Sequence, residues 1–132
     1  MIELPPYAQL LGLTIEPGTG ESGGDAPVLV MPYVAATLAG RPGFLHGGAI
    51  GGLLEMAAIV ALRHALADDE VRIKPVNQSL DFMRGGRDKE TRAQAIVRRL
   101  GNRIANVDAS AWQDDPDKPI AVARQTFLIA RL

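Results

Sequence analysis

His46-Gly-Gly-Ala-Ile-Gly-Gly-Leu-Leu-Glu55-Met-Ala-Ala-Ile-Val-Ala-Leu62 is apolar throughout apart from the histidine that opens it and one carboxylate in its middle. The run is too long for a strand, contains no proline and leads to the acidic cluster Asp68-Asp-Glu70, so it predicts a helix over 47–67. Hydrophobicity on nearly every side of that helix implies burial on more than one side, as when a sheet curls around it. Gly47, Gly48, Gly51 and Gly52 each cost up to about 1 kcal/mol relative to Ala inside a helix, so their clustering requires close backbone approach. A buried, unpaired carboxylate is costly, so Glu55 must find a partner, reach water or titrate high. Each outcome suits an acid or base, while pairing with a buried Arg would make it structural.

Working outward, Leu4 to Leu13 reads as a short lead-in with one helical turn. Thr14 to Gly20 and Ala26 to Val34 read as a hairpin around the turn-rich 18–25, and Ala35 to Leu45 as an irregular loop. Beyond the helix come strands at Val71 to Arg84, Glu90 to Leu100, Arg103 to Gln113 and Ile120 to Ala130. In the third of these, Ala105, Val107, Ala109 and Ala111 alternate with Ile104, Asn106, Asp108 and Ser110, so one face is dry and the other wetter. Two strands, a long helix and a run of about four strands make the class α+β with an antiparallel sheet, in a single domain over 1–132.

A hydrophobic share of 47% with only 5% aromatic residues describes a folded core of Ala, Val, Leu and Ile. The formal net charge of −1 gives no whole-molecule attraction for nucleic acid or an anionic membrane. Without cysteine there is no disulfide framework, thiolate nucleophile or Cys-based zinc site, and the two histidines lack ligand spacing, so no metal is expected. No Walker loop, dinucleotide fingerprint or nucleophile elbow is present, and no cofactor is expected. The start, Met1 to Tyr7, lacks a signal-peptide pattern, and Ala49 to Leu62 is shorter than the roughly 18 residues a bilayer requires; a cytoplasmic protein is expected.

The helix start offers free N–H groups and partial positive charge, left uncovered at Gly47 and Gly48, which could polarise a carbonyl oxygen. The alternative is that these glycines only seat the helix tightly on the sheet. Gly47 and Glu55 lie about 12 Å apart along one helix, too far to act on one carbonyl, so cooperation requires a second helix running antiparallel in a two-fold dimer. His46 fits a positioning role and His64, beside Arg63 near the helix end, a structural one. Arg84, Arg87, Arg92, Arg98, Arg99 and Arg103 read mainly as a solvated face, from which a few could hold phosphate.

Gly43-Phe-Leu-His46-Gly47-Gly48-Ala-Ile-Gly-Gly-Leu-Leu-Glu55 resembles the central motif of the PaaI-like hotdog-fold acyl-CoA thioesterases. Ser79 to Arg84, Leu100 to Arg103 and Ala121 to Phe127 are similar to later elements of that family. The resemblance implies a hotdog fold, a sheet wrapped around one long helix, in homodimers that pair into tetramers. It implies an acyl-CoA substrate, with Glu55 as nucleophile or general base, the partner's Gly47 N–H on the thioester carbonyl, His46 and Gly48 shaping the turn, and Arg84, Arg87 and Arg103 as candidates for the CoA end. The chain departs from relatives at Gly40, where many carry Asn, at Glu55, where many carry Asp, and at Pro75, where Thr or Ser is common and Asn77 and Ser79 stand nearby. A hotdog hydratase or dehydratase and a non-catalytic acyl-CoA binding protein are the alternatives.

Overall fold

The computed structural model describes residues 3–18, 25–67 and 70–131. The apolar run forms helix α3, Gly47–Leu66, after two short helices, α1 (Pro6–Leu10) and α2 (Ala35–Leu38). The strands are β1 (Thr14–Glu16), β2 (Val28–Met31), β3 (Val71–Phe82), β4 (Thr91–Leu100), β5 (Ile104–Trp112) and β6 (Ala121–Arg131). They form one antiparallel sheet in the order β1-β2-β4-β5-β6-β3, with α3 packed mainly across β4 and β5. This is the hotdog arrangement.

The strands are shorter than the sequence suggests at several ends, most of all β1 and β2. Residues 19–24 of the expected turn and 68–69 of the acidic cluster lie outside the described residues. The expected loop at 35–45 contains α2, whose Leu38 is 1% exposed in the core, so one apolar anchor orders four residues with weak helical pattern. β3 ends at Phe82 because the Met83 and Arg84 amides both turn to donate to the Ile120 carbonyl.

Small side chains let helix and sheet close on each other. On β5, Ala105, Val107, Ala109 and Ala111 are buried, as their alternation predicts, and on β4 Ala93 and Ala95 join them. Against this floor α3 sets Leu53, Leu54, Ala57, Ala58 and Leu62, all fully buried. Each large aliphatic side chain removed from water contributes about 1.5 to 3 kcal/mol, which outweighs the glycine cost in the first turns. At 20 residues α3 is longer than the 49–62 run and is long and apolar enough to cross a bilayer, but most of it is buried against the sheet.

The sheet does not enclose the helix completely. Gly52, Glu55, Ile59 and Arg63 are only partly buried, and their spacing places them on one stripe facing away from the sheet. The Arg63 guanidinium donates to the Val71 carbonyl at 2.9 Å and ties the end of α3 to the start of β3. β3 is an edge strand, bulged between Pro75 and Asn77, with Val76 62% exposed.

Candidate active site

His46 is the N-cap of α3, with an extended backbone at φ −69° and ψ 134°. Its Nδ1 accepts the Gly48 N–H at 2.9 Å, and its carbonyl accepts from Ala49 and Ile50. Its own N–H donates to the Leu38 carbonyl, so the buried end of α2 fixes where α3 begins. The Gly47 N–H, first in the helix, has no acceptor among the described residues.

The glycines of the motif have separate reasons to be glycine. A Cβ at Gly48 would lie 3.0 Å from His46 Nδ1 and crowd the cap, whereas one at Gly47 would make ordinary contact with the Phe82 ring at 3.4 Å. At Gly51 it would lie 3.0 Å from Leu80 Cδ1, and at Gly52 only 2.7 Å from Tyr7 Cε2. Tight seating against the sheet therefore accounts for Gly51 and capping for Gly48. Packing places little demand on Gly47, where the open N–H remains. At Gly40 a Cβ would lie 3.0 Å from the Leu45 carbonyl oxygen, so the Asn of many relatives would require the loop to give by a few tenths of an ångström.

Glu55 lies two turns beyond Gly47 on the open stripe, half-buried. Among the described residues no side chain pairs with its carboxylate and no N–H or O–H donates to it. The buried-arginine reading therefore has no support within the chain. A half-buried carboxylate beside apolar neighbours is able to act as a proton acceptor. Within the chain the Gly47 N–H remains about 12 Å away along the helix.

Leu53, Leu54 and Met56 are core residues at 4% exposure or less and do not line the open stripe. Phe82, at 55%, is open and lies against Gly47. β3 turns Gln78, Leu80 and Phe82 towards α3, so Asn77 and Ser79 lie on the opposite face. Gln78, not singled out from sequence, donates from Nε2 to the Gly51 carbonyl at 3.4 Å, and its buried Oε1 has no partner among the described residues.

The arginines divide between the two ends of the sheet. Arg84 and Arg87 lie at the α3 start, where Gly86 accepts the Leu45 N–H. The Arg87 guanidinium stacks on the Phe44 ring at 4.5 Å, and Arg41 stacks on the same ring at 4.3 Å. Arg103 is at the far end, beside Ile129, in a shallow groove of about 440 Å³ lined also by Arg99, Asn102 and Asn106. Arg103 and Arg87 therefore do not meet within the chain. The helix-start arginines are joined by Arg41, which only its contact with Phe44 reveals. Among the described residues no His, Asp or Glu cluster could hold a metal ion.

The thioesterase superfamily model matches residues 42–120, more than half of the chain, and no curated protein matches it. A Chromobacterium violaceum protein of solved structure is 35% identical, with 93% of this chain and 82% of that one covered and a TM-score of 0.69. A phenylacetic acid degradation-related protein from Ralstonia eutropha JMP134 is 26% identical, covering 96% and 92%, with a TM-score of 0.78. A Bacillus halodurans protein solved with CoA is 16% identical and shares the fold, covering 97% and 80%, with a TM-score of 0.81. From His46 through Glu55 the motif lies within the matched span, and the chain belongs to the thioesterase superfamily, a membership that supports thioester hydrolysis as its activity.

Proposed function

We propose that the protein hydrolyses the thioester of an acyl-CoA to the free acid and CoA. The half-buried, unpartnered Glu55 carboxylate on the open stripe of α3 carries this reading. As general base, Glu55 takes a proton from water while the water oxygen attacks the thioester carbonyl; as nucleophile, its own oxygen attacks first and water then cleaves the anhydride. Either route puts negative charge on the carbonyl oxygen, where the uncovered Gly47 N–H of a second subunit stabilises it, and CoA leaves as the thiol. His46 and Gly48 hold that N–H in place through the cap.

A two-fold homodimer is part of the proposal, because one helix cannot bring both groups to one carbonyl. The unpaired edge β3, with Val76 exposed and Phe82 against Gly47, is the surface we assign to it, and pairing of dimers would follow from the family resemblance. Arg84 and Arg87, with Arg41, are assigned to the phosphates of CoA. The CoA bound by the Bacillus halodurans protein supports that ligand. Arg103 would contribute only from a different copy. A cytoplasmic location fits a CoA-dependent substrate.

Hydration of an unsaturated acyl thioester would need a second acid or base, and the His46 Nδ1 is already engaged with Gly48. The test is thiol release from short, medium, long and aryl acyl-CoA esters. Glu55→Gln preserves shape and removes the base, so turnover should fall by about 10² to 10⁴-fold while ester binding persists. Wild-type turnover in the variant would contradict the assignment. Binding without thiol release by the wild-type protein would establish a binding protein instead.

A further inference from the structure

Tyr7 is the one aromatic ring seated on the open stripe of α3 among the described residues, and nothing in the catalytic proposal uses it. Its ring edge lies so close to Gly52 that a Cβ there would be 2.7 Å from Cε2 and 2.9 Å from the hydroxyl oxygen. Gly52 precedes Glu55 by three residues, so the two are neighbours on one helix face. The phenol is 44% exposed, and among the described residues its hydroxyl makes no hydrogen bond.

The ring is not on a loose end. α1 begins with Pro6 in its first turn, and its Ala8 is fully buried, with Leu11 and Leu13 at 6% exposure behind it. The Leu11 N–H donates to the Tyr7 carbonyl and the Leu13 N–H to the Ala8 carbonyl, at 3.1 and 3.0 Å. Backbone bonds on the one side and the bare Gly52 backbone on the other hold the ring against the helix. A side chain at 52 would push it off.

We propose that Tyr7 is a specificity-determining residue that walls the acyl pocket beside Glu55 and selects compact acyl groups, short or single-ring, over long chains. The inference rests on the thioesterase reading for the location of the acyl group. A half-exposed ring one turn from the acidic group occupies space that an extended chain along α3 would need. Its face offers an aryl group offset or edge contact, and its free hydroxyl offers a hydrogen bond to a polar substituent. Gly52 is then a specificity element too, because it makes room for the ring.

The experiment compares acetyl-, butyryl-, octanoyl-, palmitoyl- and benzoyl-CoA as substrates for the wild type, Tyr7→Ala, Tyr7→Phe and Tyr7→Trp, with equilibrium binding of the same esters measured in parallel. Tyr7→Ala should raise the octanoyl to butyryl ratio of kcat/KM at least about tenfold, the scale of one or two methylenes in an apolar pocket. Tyr7→Phe should retain the wild-type ratio, and Tyr7→Trp should sharpen it. Gly52→Ala should change the ratio in the wild-type background and not in Tyr7→Ala, since among the described residues the added methyl meets only Tyr7 within 3.2 Å. An unchanged ratio in both Tyr7→Ala and Tyr7→Trp, with hydrolysis intact, overturns this inference and leaves the thioesterase reading standing. If the wild type releases no thiol, that reading fails, and the chain-length dependence of binding decides the role of Tyr7 in the same way.

Discussion

The Gly47 N–H is the donor on which the proposed oxyanion stabilisation depends, and the backbone allows it to be deleted cleanly. Proline is tolerated at the first helical position, where the N–H has no partner within the helix, and it requires an extended residue before it. His46, at φ −69° and ψ 134°, already has that conformation. Gly47→Pro should therefore fold with a near-normal Tm and lose about 10² to 10³ in kcat, the cost of one such donor. Wild-type kcat in a folded variant would remove Gly47 from the mechanism. Glu55 and Gly47 were legible in the sequence as candidates because a carboxylate in an apolar helix and glycines at its start are chemically conspicuous. Tyr7, Gln78 and Arg41 were not, since each becomes visible only through contact with a distant segment. Gly52 was the available sign of Tyr7, a glycine deep enough in a helix to need a neighbour on top of it.

At the scale of elements, the short β1 is held by an ion pair that crosses β2. The Arg92 guanidinium on β4 donates to both Glu16 oxygens at 3.1 Å and also to Glu90 at 2.6 Å. The hydrogen bond from Arg92 holds the Glu16 carboxyl below its ordinary value of 4.5, and the same bond raises Arg92. Since the folded value is the lower, the stabilisation is complete above the unfolded value and disappears as pH falls through the folded one. Urea midpoints for wild type and Glu16→Gln should differ slightly near pH 7 and converge below the ordinary carboxylate range, with a smaller gap in high salt. A gap that persists in strong acid would exclude the pair as its source. Helix α3 and the later strands could be read from the sequence because period and length distinguish them. α2 escaped because four residues carry no measurable period, and its order comes from burial of Leu38. The β1–β2 hairpin was legible from the turn between its strands, whereas the place of β3 was beyond local pattern, since it pairs with β6 rather than with the strand that follows it.

For the whole molecule, the central claim is that two copies of the chain build each site. The exposed β3 edge makes this testable through assembly, because a two-fold axis doubles any charge placed on it. Val76→Lys should give a monomer by sedimentation and lose turnover with Glu55 and Gly47 both intact, as edge lysines oppose strand pairing. An active monomer would contradict the shared site. The most direct measurement uses two inactive variants together. Glu55→Ala and Gly47→Pro subunits, co-expressed with different tags and purified as the heterodimer, should recover about half of wild-type turnover, because one of the two sites then pairs an intact Glu55 with an intact Gly47. A heterodimer as inactive as its two inactive parents would show that both groups act from one subunit and would contradict the shared site.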